Sequence, residues 1–260
     1  MPSDKTIIRI ERADGPGKPS RWEEFHIQSK KGANVISALM EIQRNPVTAD
    51  GKRTSPPVWD AACLEEVCGS CTMNINGKVR QACSALIDKL EQPVRLQPMK
   101  KFPLVRDLCV DRQKMFEDLK RVQAWVPIDG TYDLGPGPRQ SPEEQEQRYV
   151  MSTCMTCGCC LEVCPQYGTD VPFVGAFAIN QVRLFNLHPT GRMNAPDRLH
   201  GLMGEGGVGD CGKAANCVVA CPKGIPLTSS IAEMSRDTTR QALKDWFHRD
   251  EHKGGSGPAG

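Results

Sequence analysis

Thirteen cysteines occur in this 260-residue chain, and most fall into three groups whose spacings suit iron and sulfide. Cys154, Cys157, Cys160 and Cys164, followed by Pro165, make a C-x2-C-x2-C-x3-C-P run. In such a run the fourth thiolate serves a second cluster. Cys211, Cys217 and Cys221, followed by Pro222, repeat the run with one change: its middle ligand position falls on Ala214, which has no lone pair to offer an iron. With crossed wiring, Cys154, Cys157, Cys160 and Cys221 are expected to bind a 4Fe-4S cluster, and Cys164, Cys211 and Cys217 a three-iron 3Fe-4S cluster. Two unlike clusters side by side would conduct electrons.

The remaining group is Cys63, Cys68 and Cys71 in a C-x4-C-x2-C spacing, with Cys83 a little further on, a set suited to a 2Fe-2S cluster. The close return of Cys83 needs a turn, and Asn76-Gly77 supplies one. Cys71 to Ile75 alternates, Asn-Gly accepts the positive φ of a type I′ hairpin, and Lys78-Val79-Arg80 leads back toward Cys71. Zinc also uses C-x2-C pairs, but in separate knuckles rather than consecutive steps. A disulfide framework belongs to short secreted chains, and Met1 to Ile10 has no apolar signal-like run. Cys109 and Cys159 fall outside the scheme and read as small buried hydrophobes or spare thiols.

Charge and composition narrow the class. With 33 basic and 31 acidic residues, a formal net charge of +2 and 5% aromatic residues, nothing favours nucleic acid. The longest apolar stretch, Val171 to Ile179, is interrupted by Pro172 and Gly175 and falls short of the roughly 18 residues a membrane span needs. Membrane attachment would have to come through partners.

The elements that must position these thiols change character near residue 105. Before it, Lys5 to Glu11 and Trp22 to Gln28 read as strands joined by the turn Asp14-Gly15-Pro16-Gly17. Asn34 caps a helix in which Val35, Ile36, Leu39, Met40 and Gln43 recur at helical spacing, Asn45-Pro46 ends it, and Pro93 to Gln97 offers a last strand. This order fits a β-grasp domain. After Pro103, Val105, Leu108, Met115, Phe116, Leu119 and Val122 read as one amphipathic helix, and Pro127 to Arg139 as an irregular linker. Ser141, Pro142 and Glu144 form a capping box that starts a helix leading to Cys154. Phe177, Val182, Leu184 and Phe185 suggest further helices between Cys164 and Cys211, and Leu227 to Phe247 a closing one. The expected class is α+β: a β-grasp 2Fe-2S ferredoxin domain over 1–105, an all-α bacterial-ferredoxin-like domain over 106–253 carrying the other two clusters, and a Gly-rich flexible tail over 254–260.

In cluster order, in Cys63-Leu64-Glu65-Glu66-Val67-Cys68-Gly69-Ser70-Cys71 and in Cys221-Pro222-Lys223-Gly224-Ile225, the chain closely resembles the iron-sulfur subunits of succinate dehydrogenases (succinate:quinone oxidoreductases, complex II) and fumarate reductases. The resemblance covers nearly the whole chain. Val35 to Ile42 and Val126 to Pro138 look most like the Gram-positive, menaquinone-linked type.

The resemblance implies an electron-transfer subunit of the tricarboxylic acid cycle and respiratory chain, with no substrate site and no catalytic residue of its own. A flavoprotein partner with covalent FAD would oxidise succinate to fumarate. Electrons would pass through the three clusters to a quinone, menaquinone by type, in a haem b-bearing cytochrome b membrane anchor. The subunit would sit peripherally on the cytoplasmic face of the cell membrane. Ubiquinone-linked relatives place a Trp pair after the Cys-Pro step and a His after the first Cys of the last group; here those places hold Gln166-Tyr167-Gly168-Thr169 and Gly212. Pro165 matches the relatives, and Lys223 could approach an anionic group of a quinone or haem. His188 and His200 read as structural. The alternatives are a fumarate reductase subunit working in the opposite direction, or a subunit of another multi-cluster dehydrogenase. The latter would usually carry a Cys at the position of Ala214 and lack the Cys63 group.

Overall fold

The computed structural model describes residues 5–127 and 138–253. Residue contacts divide the chain into two compact units, Met1–Met115 with Met155–Cys164 and Ala220–Pro222, and Phe116–Cys154 with Pro165–Val219 and Lys223–Gly260.

In the first unit, strands β1 (Lys5–Arg12) and β2 (Arg21–Gln28) pair antiparallel in register Lys5↔Gln28 to Arg12↔Arg21. Alternation puts Ile8, Ile10 and Phe25 inside. Helix α1 (Val35–Arg44) follows, then the hairpin β3 (Thr72–Ile75) and β4 (Lys78–Gln81), then β5 (Val94–Gln97). The sheet order is β2-β1-β5-β3-β4, with β1 and β5 parallel. α1 buries Val35, Ile36, Ala38, Leu39 and Ile42 against it, while Met40 of the expected stripe stands 40% exposed. This is the β-grasp arrangement. The hairpin turn is of the expected kind, with Asn76 and Gly77 at φ 50° and 79°.

The region after Pro103 departs from the expected helix. Leu104–Arg106 (β6) and Cys109–Val110 (β7) form a small hairpin, and helix α2 (Gln113–Arg121) starts only afterwards. Asp107 takes φ 49° at the turn between β6 and β7, so the spacing of Val105 and Leu108 is a coincidence across a β-turn. The carboxylate of Asp107 locks that turn: Oδ1 accepts from Arg12 Nε (2.8 Å) and Ala13 N (3.2 Å), and Oδ2 from Val58 N (2.9 Å). Asp111 then accepts from Gln113 N and opens α2. Met115, Asp118 and Val122 turn inward, and Phe116 lies 62% exposed.

In the second unit the capping box forms as expected: Ser141 Oγ accepts from Glu144 N, the Glu144 carboxylate accepts from Ser141 N, and α3 (Pro142–Ser152) follows. The short α4 (Cys159–Glu162) belongs to the first unit. Helix α5 (Gly175–Leu187) is buried on most sides, through Ala176, Phe177, Ala178, Ile179 and Val182, and packs on α3 and on α8 (Leu227–Lys253). Its polar residues are matched inside the bundle. Arg183 makes a two-pronged pair with Glu233, 2.7 Å on each side, and Asn180 accepts from Ser230 Oγ at 3.0 Å. Gly191 is required because a Cβ there would lie 2.1 Å from Phe185 O. Helices α6 (Ala195–Gly201) and α7 (Asn216–Ala220) complete the set. Most of the expected 127–139 linker and the 254–260 tail fall outside the described residues. No described helix is long and apolar enough to cross a membrane.

Candidate iron-sulfur centres

The loop from Cys63 to Cys71 winds its backbone around sulfur. Leu64, Glu66 and Gly69 adopt φ of 62°, 55° and 69°. Non-glycine residues rarely do so, and the result here is a concave array of N–H groups, a geometry that favours anions. The N–H groups of Glu65, Val67 and Cys68 point at Cys63 Sγ (3.4, 3.3 and 3.3 Å), and those of Cys63 and Ser70 at Cys68 Sγ (3.5 and 3.4 Å). Burial raises the Cys68 thiol, but hydrogen bonds from Ser70 and Cys63 outweigh it and hold Cys68 at about 6. A thiolate at neutral pH is the form that ligates metal. Cys71 and Cys83 form a second pair; burial, with the neighbouring Cys83, pushes Cys71 up to about 11.

The hairpin brings this second pair together, with Ala82 N donating to Cys71 O at 3.1 Å. Asn34 does double service. Its Oδ1 caps α1 at Ser37 N (2.9 Å), and its Nδ2 donates to Cys83 O (2.8 Å). Among the described residues no three His, Cys, Asp or Glu side chains gather around a single ion position. The thiols arrive two by two, Cys63 with Cys68 and Cys71 with Cys83, which suits a centre of two irons. Donor set and N–H array together fit a 2Fe-2S cluster.

Cys157, Cys160, Cys164 and Cys221 also lie in the first unit. Thr156 and Gly158 flank Cys157 with φ of 51° and 84°, so the chain again curls about a thiol before α4. The Cys159 side chain, together with Arg112, lowers Cys157 to about 7; contact with Cys157 and burial push Cys159 upward. Cys159 is fully buried and accepts from Gln81 Nε2 at 3.3 Å, so it packs beside the ligand run. Glu162 fixes the end of α4 by accepting from the N–H groups of Lys100 (2.8 Å) and Lys101 (3.0 Å). The two cysteine regions touch. A Cβ on Gly69 would stand 2.6 Å from Cys157 Cα.

Cys154, Cys211 and Cys217 lie in the second unit, Cys154 just beyond α3 and Cys217 buried in α7. Ala214 is flanked by Lys213 and Ala215, both at φ 57°. Gln166 covers Gly212, where a Cβ would meet Gln166 Nε2 at 2.8 Å, and buried Tyr167 donates to Asp118 at 3.0 Å. Pro165 is exposed and Lys223 half-buried. His188 Nδ1 accepts from Thr190 N and Gly191 N, and His200 pairs with Asp245 at 2.8 Å. Cys109 donates to Asp60 at 3.0 Å, and burial, reinforced by Asp60, pushes it up to about 12. Sequence reasoning does not reach Arg112, the Asn34–Cys83 link or the Gln81–Cys159 contact. For none of the three does a spacing signal exist, because each joins residues far apart in the chain.

Residues 7–117 match the 2Fe-2S iron-sulfur cluster binding domain, and residues 150–225 the 4Fe-4S dicluster domain. The chain is 57% identical over 251 residues to the succinate dehydrogenase iron-sulfur subunit of Bacillus subtilis, covering 96% of this chain and 99% of that one. It is 35% identical over 191 residues to the fumarate reductase iron-sulfur subunit of Mycobacterium tuberculosis, covering 70% and 74%. Its fold is similar to a chain of the Mycobacterium smegmatis Sdh1 complex in the apo form, with a TM-score of 0.74 at 20% identity over 91% and 96% of the two chains. With both domains matched and 57% identity to one relative over nearly the whole length of both chains, the chain belongs to the family of succinate dehydrogenase iron-sulfur subunits, the electron-transfer parts of an oxidoreductase.

Proposed function

We propose that this chain takes electrons from succinate oxidation in an FAD-bearing flavoprotein partner and passes them to a quinone in a haem b-bearing membrane anchor. The ligand assignment is Cys63, Cys68, Cys71 and Cys83 for 2Fe-2S; Cys154, Cys157, Cys160 and Cys221 for 4Fe-4S; and Cys164, Cys211 and Cys217 for 3Fe-4S. Bound clusters supply one-electron carriers of differing potential. The protein's part is to hold the thiols, donate N–H groups to sulfur and set the spacing. The observation that carries the reading is the packing of Gly69 on Cys157, which supports short-range transfer between the first two centres.

The direction follows the 57% relative, which is named for succinate oxidation, over the 35% relative named for fumarate reduction. The Cys63 loop, with Leu64 and Val67 at 50% and 61% exposure, faces the flavoprotein; the Cys211 end, with Val219 at 89%, faces the anchor. The subunit sits peripherally on the cytoplasmic face of the cell membrane, held there by the anchor. Gln166 over Gly212 leaves the ubiquinone-type Trp and His contacts unmade, which supports menaquinone reached through the anchor's haems. In sequence, the 2Fe-2S ferredoxin-like portion is assigned to 1–105 and the two-cluster portion to 106–253, while by contact residues 106–115, 155–164 and 220–222 group with the first unit.

Rates of succinate oxidation and fumarate reduction by the purified complex, with a redox titration of its centres, test this. Faster menaquinone reduction by succinate than fumarate reduction by menaquinol is expected. The reverse order would make the complex a fumarate reductase.

A further inference from the structure

Arg112 immediately precedes α2, and its guanidinium reaches the cluster loop: Nη1 donates to Gly69 O and Nη2 to Ser70 O, each at 2.7 Å. Gly69 and Ser70 are the two residues between Cys68 and Cys71 in the chain. The acceptors are neutral, so the guanidinium is anchored without being neutralised by direct pairing. Its charge is felt by thiols of two different groups, Cys71 on one side and Cys157 with Cys159 on the other, and by the carboxylate of Asp60. Burial disfavours the cation there, yet arginine keeps its proton. Gly69, one of the two residues that Arg112 grips, is also the residue packed on Cys157.

We propose that Arg112 is a positioning residue for electron transfer, a fixed positive charge shared by the Cys63–Cys83 centre and the centre that includes Cys157. Each one-electron reduction adds negative charge to a centre. A cation held nearby stabilises the reduced state, so it raises both potentials together rather than one at the expense of the other. The fork on the 69–70 carbonyls also keeps the charge from relaxing away when an electron leaves. This rests on the ligand assignment above. Iron content and EPR signatures of the wild-type complex test that assignment separately, before any variant is compared.

The test is EPR-monitored redox titration of the holo complex carrying Arg112→Gln. Loss of the charge should shift both reduction equilibria toward the oxidised state by on the order of tenfold, which is 59 mV for a one-electron couple. Loaded centres with unchanged potentials, or a fall in only one of them, overturn the proposal. If Arg112→Gln does not retain both centres, Arg112→Lys decides. Full iron content with both reduction equilibria within threefold of wild type shows that charge is the requirement. Loss of the centres in Arg112→Lys as well assigns Arg112 to loop structure alone and overturns the charge role.

Discussion

Ala214 stands in the same backbone setting as Cys157: each follows and precedes a residue in the left-handed region, at φ 57° and 57° around Ala214 and 51° and 84° around Cys157. The second cysteine run thus retains the turn that presents a ligand while lacking the thiol. Ala214→Cys is expected to admit a fourth iron and convert the three-iron centre to a cube of lower potential, since electron donation by a fourth thiolate favours the oxidised state. Succinate-driven quinone reduction should slow, while reduction of an artificial acceptor that draws from the flavin persists. Persistence of a three-iron EPR signal after anaerobic iron loading would place the vacant ligand elsewhere.

Gly69 is required twice over, by its φ of 69° and because a methyl in place of its hydrogen would come within 2.6 Å of Cys157 Cα. Gly69→Ala should cost roughly 2–4 kcal/mol, from overpacking and a positive-φ side chain together. Denaturant unfolding of the holo complex would measure the cost, and electron equilibration between the first two centres should slow. An unchanged midpoint would mean the two loops separate without penalty.

Asp107 and Arg12 are both fully buried, 2.8 Å apart. Asp107→Ala leaves Arg12 Nε and the N–H groups of Ala13 and Val58 without their acceptor while Arg12 keeps its pair with Glu23 at 2.6 Å, so the variant is expected to destabilise by about 1–3 kcal/mol. Val58 N is at the entrance to the cysteine loop. Loss of the 2Fe-2S visible absorbance on mild heating should precede loss of the other centres. Simultaneous loss of all three would contradict that ordering.

Asn34→Ala removes a helix cap worth about 1 kcal/mol and the donor to Cys83 O at once. Asn34→Ser restores a capping oxygen but cannot reach with an amide. If the Cys83 link matters, Asn34→Ser should recover thermal stability while still releasing iron to a chelator faster than wild type. Equal release by wild type and Asn34→Ser would reduce Asn34 to a cap.

Where local chemistry dictates the fold, the sequence is readable. Strand alternation around Ile8 and Ile10, the Asn76-Gly77 turn and the Ser141–Glu144 box each depend on a few adjacent residues. The region after Pro103 defeats such a reading because the bond partners of Asp107 lie at Arg12, Ala13 and Val58, far away in the chain, and these convert an apparent helix into a hairpin. The cysteine groups are visible by spacing alone. The features that tune them, the Arg112 fork and the N–H groups aimed at Cys63 and Cys68, arise from backbone conformations such as those of Leu64 and Glu66 that no residue type announces.

Iron analysis with low-temperature EPR on the anaerobically purified, fully loaded complex tests the central claim most directly. The account requires about nine iron atoms in this chain, with 2Fe-2S and 4Fe-4S signals on reduction and a three-iron signal in the oxidised state. About ten irons and no three-iron signal would mean two cubes, and would contradict the three-centre relay built on Ala214.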